Sequence, residues 1–207
     1  MRLKVLAYIF ALFSTLKAQE WVLPSEDWFY FGVEGGASYS MVYDWSFSWR
    51  KGLDVDRIGN GIEANLGVSW GKEYRNGFVW GINFSYAYGF YKGKDNTILS
   101  EVKNGDNLRG QNFQFGSTLA GLIFLPSNKS DFLPAIQLGV DLGLLFQGIS
   151  KGSDLVAFGV SPTFGLRGGF SAVIDKGYQI DILLKAPISS FISHRFALSV
   201  GFKKLFW

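Results

Sequence analysis

The sequence predicts an all-β fold, an eight-stranded antiparallel up-and-down transmembrane β-barrel. Three observations carry this. First, residues 77–91, GFVWGINFSYAYGFY, place Phe78, Trp80, Ile82, Phe84, Tyr86, Tyr88 and Phe90 at every second position, with Val79, Gly81, Asn83, Ser85, Ala87 and Gly89 between them. Alternate side chains of a strand point to opposite faces, so one face is bulky and apolar and the other small or polar. Second, the pattern recurs along the chain, with an apolar, aromatic-tipped face suited to lipid and a polar face suited to a lumen. Third, hydrophobic residues make up 48% of the sequence, yet after the N-terminus no apolar run reaches the ~20 residues of a membrane helix.

The chain opens on a secretory signal at 1–18. Arg2 and Lys4 supply the positive start, Val5 to Leu16 the short apolar core, and Ala18 the small residue at the cleavage point. Without the signal, which also carries Lys17, the 20 bases fall by three to match the 17 acids. The basic balance of the whole chain is therefore no argument for nucleic acid, and no basic cluster is interleaved with aromatics. There is no cysteine, which excludes disulfides and thiolate metal sites.

Residues 19–27 form a short lead-in, and 28–207 form the barrel. The first strand covers 28–41, with Phe29, Phe31, Val33, Ala37, Tyr39 and Met41 outward and Glu34 inward. Its alternation continues through Tyr43, Trp45, Phe47 and Trp49, beyond the ~9–11 residues a tilted membrane strand needs. The excess is expected to project as a two-stranded ribbon, returning along 53–60, and to carry an extracellular aromatic surface. The second strand, 61–71, sends Ile62, Leu66, Val68 and Trp70 outward and Glu63 inward. The third is 77–91. A polar connection, 92–109, shows no periodicity and reads as a loop.

The fourth strand, 111–125, puts Phe113, Phe115 and Ile123 outward and Asn112, Gln114 and Thr118 inward. The fifth, 135–147, alternates Leu138, Val140, Leu142 and Leu144 with Gln137, Gly139, Asp141 and Gly143. The sixth, 155–170, has Arg167 inward and Pro162 on its outer face, where it costs a ladder hydrogen bond unless a bulge absorbs it. A tight turn at Asp175, Lys176 and Gly177 leads to the seventh, 178–186, with Asp181 and Lys185 inward. The eighth is 195–207. An even count puts both ends on one side. The longer connections, after strands one, three, five and seven, are expected outside the cell, and both termini in the periplasm. In hydrocarbon every backbone polar group needs a partner within the protein, so strands one and eight must pair.

The final segment, FALSVGFKKLFW, resembles the terminal strand of Gram-negative outer-membrane proteins, the stretch that the barrel assembly machinery recognises. Phe202, Leu205 and Trp207 match its apolar residues and terminal aromatic. Phe202 and Leu205 fall in different phases, so a bulge near Lys203 and Lys204 is expected. With the signal and the strand count, the chain resembles the small eight-stranded barrels of the OmpA-transmembrane, OmpX and opacity-protein kind. That resemblance implies an outer-membrane location, contact with membrane lipid and lipopolysaccharide, and a structural or adhesive role toward a host or surface ligand. It fixes no substrate and implies no cofactor.

The chemistry-bearing residues point away from catalysis. His194 is the single histidine. Barrels that deacylate lipid A pair a His with a Ser two positions away, and here those positions hold Ile192 and Phe196. Asp54, Asp56 and Asn60 lack the spacing of a calcium loop. The inward charges Glu34, Glu63, Asp141, Arg167, Asp181 and Lys185, with Arg195 a further candidate, are expected to pair as a polar lumen network. Arg167 and Asp181, on adjacent strands, are the expected central pair. A lumen of eight strands is narrow enough for side chains to fill. The leading expectation is a closed surface barrel that is not an enzyme. A small-solute pore is the alternative, and a lipid A-modifying hydrolase a further one.

Overall fold

The computed structural model describes residues 26–48, 52–95, 101–127, 131–175, 177–190 and 192–206, with the backbone alone at 44–48, 52–56 and 188–190. Eight strands run β1 (Trp28–Ser48), β2 (Gly52–Glu73), β3 (Phe78–Gly93), β4 (Asn107–Phe124), β5 (Phe132–Lys151), β6 (Asp154–Ile174), β7 (Tyr178–Ser190) and β8 (Ser193–Phe206). Each pairs antiparallel with its neighbours in sequence, and β1 pairs with β8 from Phe29↔Phe206 to Val42↔Ser193, closing the ring. The expected architecture is thus the observed one. The signal region and the lead-in up to residue 25 lie outside the described residues.

The outer wall follows the period of two. Phe31, Ile62, Leu66, Phe84, Phe115, Leu138, Phe170, Leu184 and Val200 are all exposed. A belt of large apolar side chains on this scale cannot face water, and it makes lipid the solvent of the wall. Near the rim that holds the chain ends, Lys72 lies over the Phe29 and Tyr74 rings at 5.3 and 4.8 Å, and Lys204 over Tyr178 at 3.9 Å. Ammonium groups set on aromatic faces suit a membrane interface, where a ring is half in lipid.

The strands overshoot the membrane at the opposite rim. At ~3.3 Å per residue and a tilt near 40°, β1 climbs about 50 Å, roughly twice the ~25 Å apolar band, whereas β7 climbs about 33 Å. The connections that read as loops are therefore partly ladder. Lys92 pairs with Asn107 and Leu108 with Lys151, so the β3–β4 loop shrinks to 94–106. The β5–β6 turn is Gly152 and Ser153 alone, with Gly152 at φ 65°, where glycine carries no steric penalty. β1 and β2 pair out to Ser48↔Gly52, and the return partner runs Phe47↔Leu53 to Met41↔Asn60. The backbone forms the projecting ribbon that the alternation implies.

Two bulges sit at the level of this far mouth. Ile58 is the extra residue between Val42↔Gly59 and Tyr43↔Arg57. Val156 is the extra residue between Ile149↔Ala157 and Ser150↔Leu155. A bulge re-aims a side chain. Here Ile58 turns into an apolar plug with Val42, Tyr91, Val102, Leu108 and Ile149, and Val156 packs against it.

Two local expectations are corrected. Pro162 needs no bulge. It pairs with Leu144 in unbroken β5–β6 register, and the register shift between β6 and β7 falls two residues further on, between Phe164 and Gly165. β8 has no bulge at Lys203 and Lys204 either. The alternation runs straight through: Phe202 and Phe206 are exposed, while Lys203 and Leu205 are buried inward.

Candidate functional site: the lumen and its far rim

The lumen is built in layers. Nearest the chain ends is a second apolar plug, in which Trp28, Tyr30, Leu122, Phe124, Leu133 and Leu205 pack with smaller neighbours. Sequence reading placed Leu205 in the assembly signal with Phe202 and Trp207. Its side chain is committed to this plug, Phe202 faces out, and Trp207 lies outside the described residues.

Above the plug sits Lys203. Its Nζ donates to Glu73 Oε1 at 2.7 Å and lies 3.1 Å from Asp181 Oδ2 and 4.6 Å from the Tyr30 ring centre. Asp181 Oδ1 accepts from Ser171 Oγ at 2.6 Å and Gln179 Nε2 at 2.7 Å. The expected Arg167–Asp181 pair does not form. The register sets Arg167 opposite Lys185 and Asp181 opposite Ser171, so two like charges face each other and each turns elsewhere. Arg167 Nε reaches Asp141 Oδ2 at 3.0 Å, and Asp141 Oδ1 accepts from Thr118 Oγ1 at 2.6 Å. Thr118 in turn accepts from Asn83 Nδ2 at 3.0 Å. Lys185 pairs with Glu34.

The third layer centres on Glu63, which is 1% exposed and so must be compensated from within. Its Oε1 accepts from the Tyr91 hydroxyl and from Asn112 Nδ2 at 2.7 Å, and its Oε2 from Ser38 Oγ at 3.0 Å. Arg195 Nε lies 2.6 Å from the same Oε2, a charge contact too bent for a hydrogen bond, and among the described residues Arg195 Nη2, itself buried, has no hydrogen-bond partner. Between the two plugs lie polar cavities of about 70 and 100 Å³, room for a handful of waters, and a further cavity of about 270 Å³ lies at the mouth plug beside Val42, Ile58 and Ile192.

Glu73 and Lys203 were missed because their stretches read as a turn and a bulge. Tyr91 was missed because it falls where the strand seemed to end. Phase was the available signal. Glu73 continues the inward parity of Glu63, Lys203 that of Ser199 and Gly201, and Tyr91 that of Ala87 and Gly89.

At the far rim the β3–β4 loop closes over the lumen. Val102 is buried in the mouth plug. Asp106 accepts from Lys151 Nζ at 2.7 Å and from the Lys103 backbone N–H at 2.8 Å, and Lys151 also donates to the Glu101 carbonyl at 2.9 Å. These contacts hold the Asp106 carboxyl below the usual carboxylate range, the Lys151 hydrogen bond most of all. Of the aromatic surface residues, Tyr43 is half-buried, its ring 5.2 Å from the His194 ring. Trp45 and Phe47 pair through their backbones with Val55 and Leu53. Their side chains, Trp49, and the side chains of Asp54 and Asp56 lie outside the described residues. His194 sits opposite Met41 on the rim, and the positions two away from it hold Ile192 and Phe196, neither of them a nucleophile. Among the described residues no three His, Cys, Asp or Glu side chains gather to hold a metal.

No protein-family model and no curated protein sequence matches the chain. Solved structures do. The chain is similar to Neisserial surface protein A, at 15% identity and a TM-score of 0.48, covering 85% of this chain and 97% of that one. It is similar to Ail, the attachment invasion locus protein of Yersinia pestis, at 14% identity and 0.41, covering 86% and 98%. It is also similar to the outer membrane enzyme PagL, at 10% identity and 0.35, covering 81% and 97%.

Proposed function

We propose that this chain is an outer-membrane surface protein whose closed barrel is a post, with both termini in the periplasm, and whose projecting ribbons make contacts outside the cell. The polar lumen residues Glu34, Glu63, Asp141, Arg167, Asp181 and Lys185 are structural cross-links, not a pathway. One observation carries the reading. The lumen has an apolar plug at each end and paired charges between, while β1–β2 and β5–β6 extend well beyond the apolar belt. A pore needs a continuous wet path and this arrangement interrupts it twice. Ail is named for attachment, and attachment suits a chain that spends its excess length on exposed hairpins. Membrane lipid and lipopolysaccharide surround the barrel, the assembly machinery reads β8, and a host or surface ligand meets the ribbon bearing Tyr43, Trp45, Phe47 and Trp49.

The test is Trp45→Ser with Trp49→Ser. Folding, read as heat-modifiable gel mobility, should be unchanged, while attachment of expressing cells to host cells or matrix falls. A double variant that attaches normally but assembles poorly would place these residues in the membrane belt and remove the ribbon from the binding role.

A further inference from the structure

The outer wall changes chemistry at one height. The register carries a row of outward side chains across four strands, Met41, Asn60, Lys92 and Asn107, and beneath it a second row, Tyr39, Ile62, Phe90 and Arg109. The lower row is apolar until β4, where Arg109 breaks it. Around and below Arg109 lies a shelf of rings. Tyr88 and Phe90 meet edge to face at 5.4 Å, and Tyr86 and Phe113 at 4.9 Å. Phe90 stands twelve residues above Phe78 on β3, a climb of about 30 Å at ~3.3 Å per residue and a tilt near 40°, just past the ~25 Å apolar band. That is where outer-leaflet acyl chains give way to phosphorylated head groups.

Two cations sit on this boundary, on adjacent strands, and both are exposed. The Lys92 ammonium donates to Asn107 Oδ1 at 2.5 Å, which holds it over β4, and Arg109 follows Asn107 by two residues on the same face. Among the described residues neither cation has a carboxylate partner. The outward positions of β3, β4 and β5 hold no carboxylate at any height. In the loop above, Asp95, Glu101 and Asp106 are matched in number by Lys94, Lys103 and the neighbouring Lys151, so the loop does not cancel the pair. Asp154 stands two strands away from Arg109, at the tip of the β5–β6 hairpin. An ammonium and a guanidinium side by side, with no acid between them, suit a phosphate, which both can grip through charge-assisted hydrogen bonds.

We propose that Lys92 and Arg109 bind a phosphate of lipid A in the outer leaflet, resting on the surface-protein orientation given above. An acyl chain of the same molecule lies down the shelf of Tyr86, Tyr88, Phe90 and Phe113. Both donors face outward at head-group height, and a phosphate displaces no salt bridge to reach them. The rings beneath select lipid over a soluble anion, because a free phosphate or a sulfated glycan uses the cations and leaves the shelf bare.

Native mass spectrometry of the full barrel, refolded with diphosphoryl lipid A in neutral detergent, tests this. One lipid A should be retained. Lys92→Gln with Arg109→Gln should cut retention at least about tenfold, the loss expected when two charge-assisted hydrogen bonds go. Lys72→Gln with Lys204→Gln removes the same charge from the opposite rim and should leave retention intact. Lipid A stripped of its phosphates should be held by the wild type as weakly as diphosphoryl lipid A is held by the first double variant. Heat-modifiable gel mobility reports folding of both variants. Should the first not fold, a photoreactive phenylalanine at Tyr88 in the otherwise native barrel should cross-link lipid A. One at Leu198, on the same row by register but three strands round the wall, should not. Equal retention by the two double variants, equal cross-linking at both positions, equal retention of phosphatidylglycerol, or full displacement of lipid A by millimolar inorganic phosphate overturns the proposal. Failure of the barrel to reach the outer membrane would instead overturn the surface reading.

Discussion

Lys203→Met should be the most damaging single change in the lumen. The Lys203 ammonium lies 2.7 Å from one buried carboxylate and 3.1 Å from another. At an effective dielectric near 20 these contacts are worth about 6 and 5 kcal/mol of attraction before desolvation. Methionine keeps the apolar stem and removes the charge. Glu73 and Asp181, both 2% exposed, then face each other with no cation between them. The net cost of stranding buried charge this way is about 3–5 kcal/mol, a large share of a marginal total. The cation–π contact with Tyr30 goes as well. Urea unfolding in phospholipid vesicles, followed by tryptophan fluorescence, reads the loss, with Trp28 in the adjacent plug as a local reporter. The deficit should shrink at low pH, where stranded carboxylates take up protons. Adding Glu73→Gln and Asp181→Asn should recover most of the stability, because all three charges are then gone. A single Lys203→Met variant within about 1 kcal/mol of the wild type would refute the view that this layer is a compensated ionic lock.

Planar-bilayer recordings of the wild type should show little or no conductance, and Arg167→Ala should stay closed, because the two apolar plugs lie in series with the charge it removes. Large, steady channels in the wild type would restore the pore. The β3–β4 loop should hold its place from neutral pH down to about 4 and loosen below that, read by proteolysis at 94–106. Asp106 is depressed in the folded state, so its contribution is present above the unfolded pKa and is lost as pH falls through the folded one. Intact-mass measurement of protein purified from outer membranes should show cleavage after Ala18, and retention of 1–18 there would refute the secretory signal.

The wall was legible because lipid on one side and a lumen on the other impose a period of two on each strand. The strand ends were not. Above the belt both faces of a hairpin are wet, so Lys92, Asn107 and Asp154 pair in ladders without any hydrophobic alternation to reveal it. The plugs were hidden for the converse reason. Leu122, Phe124, Leu133 and Val173 are inward by parity but apolar, and an expectation of a polar lumen has no place for them. Charges could be assigned to the lumen from phase alone. Their partners could not, because pairing depends on register between strands. The β6–β7 register, continuous from Ile174↔Tyr178 to Gly165↔Pro187, sets Arg167 opposite Lys185 and Asp181 opposite Ser171, and the charges pair instead as Arg167–Asp141 and Lys203–Asp181.

That dependence on register explains what the network does. Glu63 on β2 gathers donors from Ser38 on β1, Tyr91 on β3 and Asn112 on β4, with Arg195 of β8 beside it. Asp141 on β5 joins β4 to β6, Lys203 on β8 joins β2 to β7, and Lys185 on β7 joins β1. All eight strands are tied across the lumen. A slip of one residue anywhere in the ring would turn a charge toward lipid, and a slip of two would leave it facing the wrong partner. An apolar interior would tolerate either more easily. The charges therefore select one closed arrangement among many that the alternating wall alone permits. A barrel fixed in this way holds the roots of its β1–β2 and β5–β6 hairpins at set positions. A surface presented on fixed roots loses less conformational entropy on meeting a ligand than one on a yielding base.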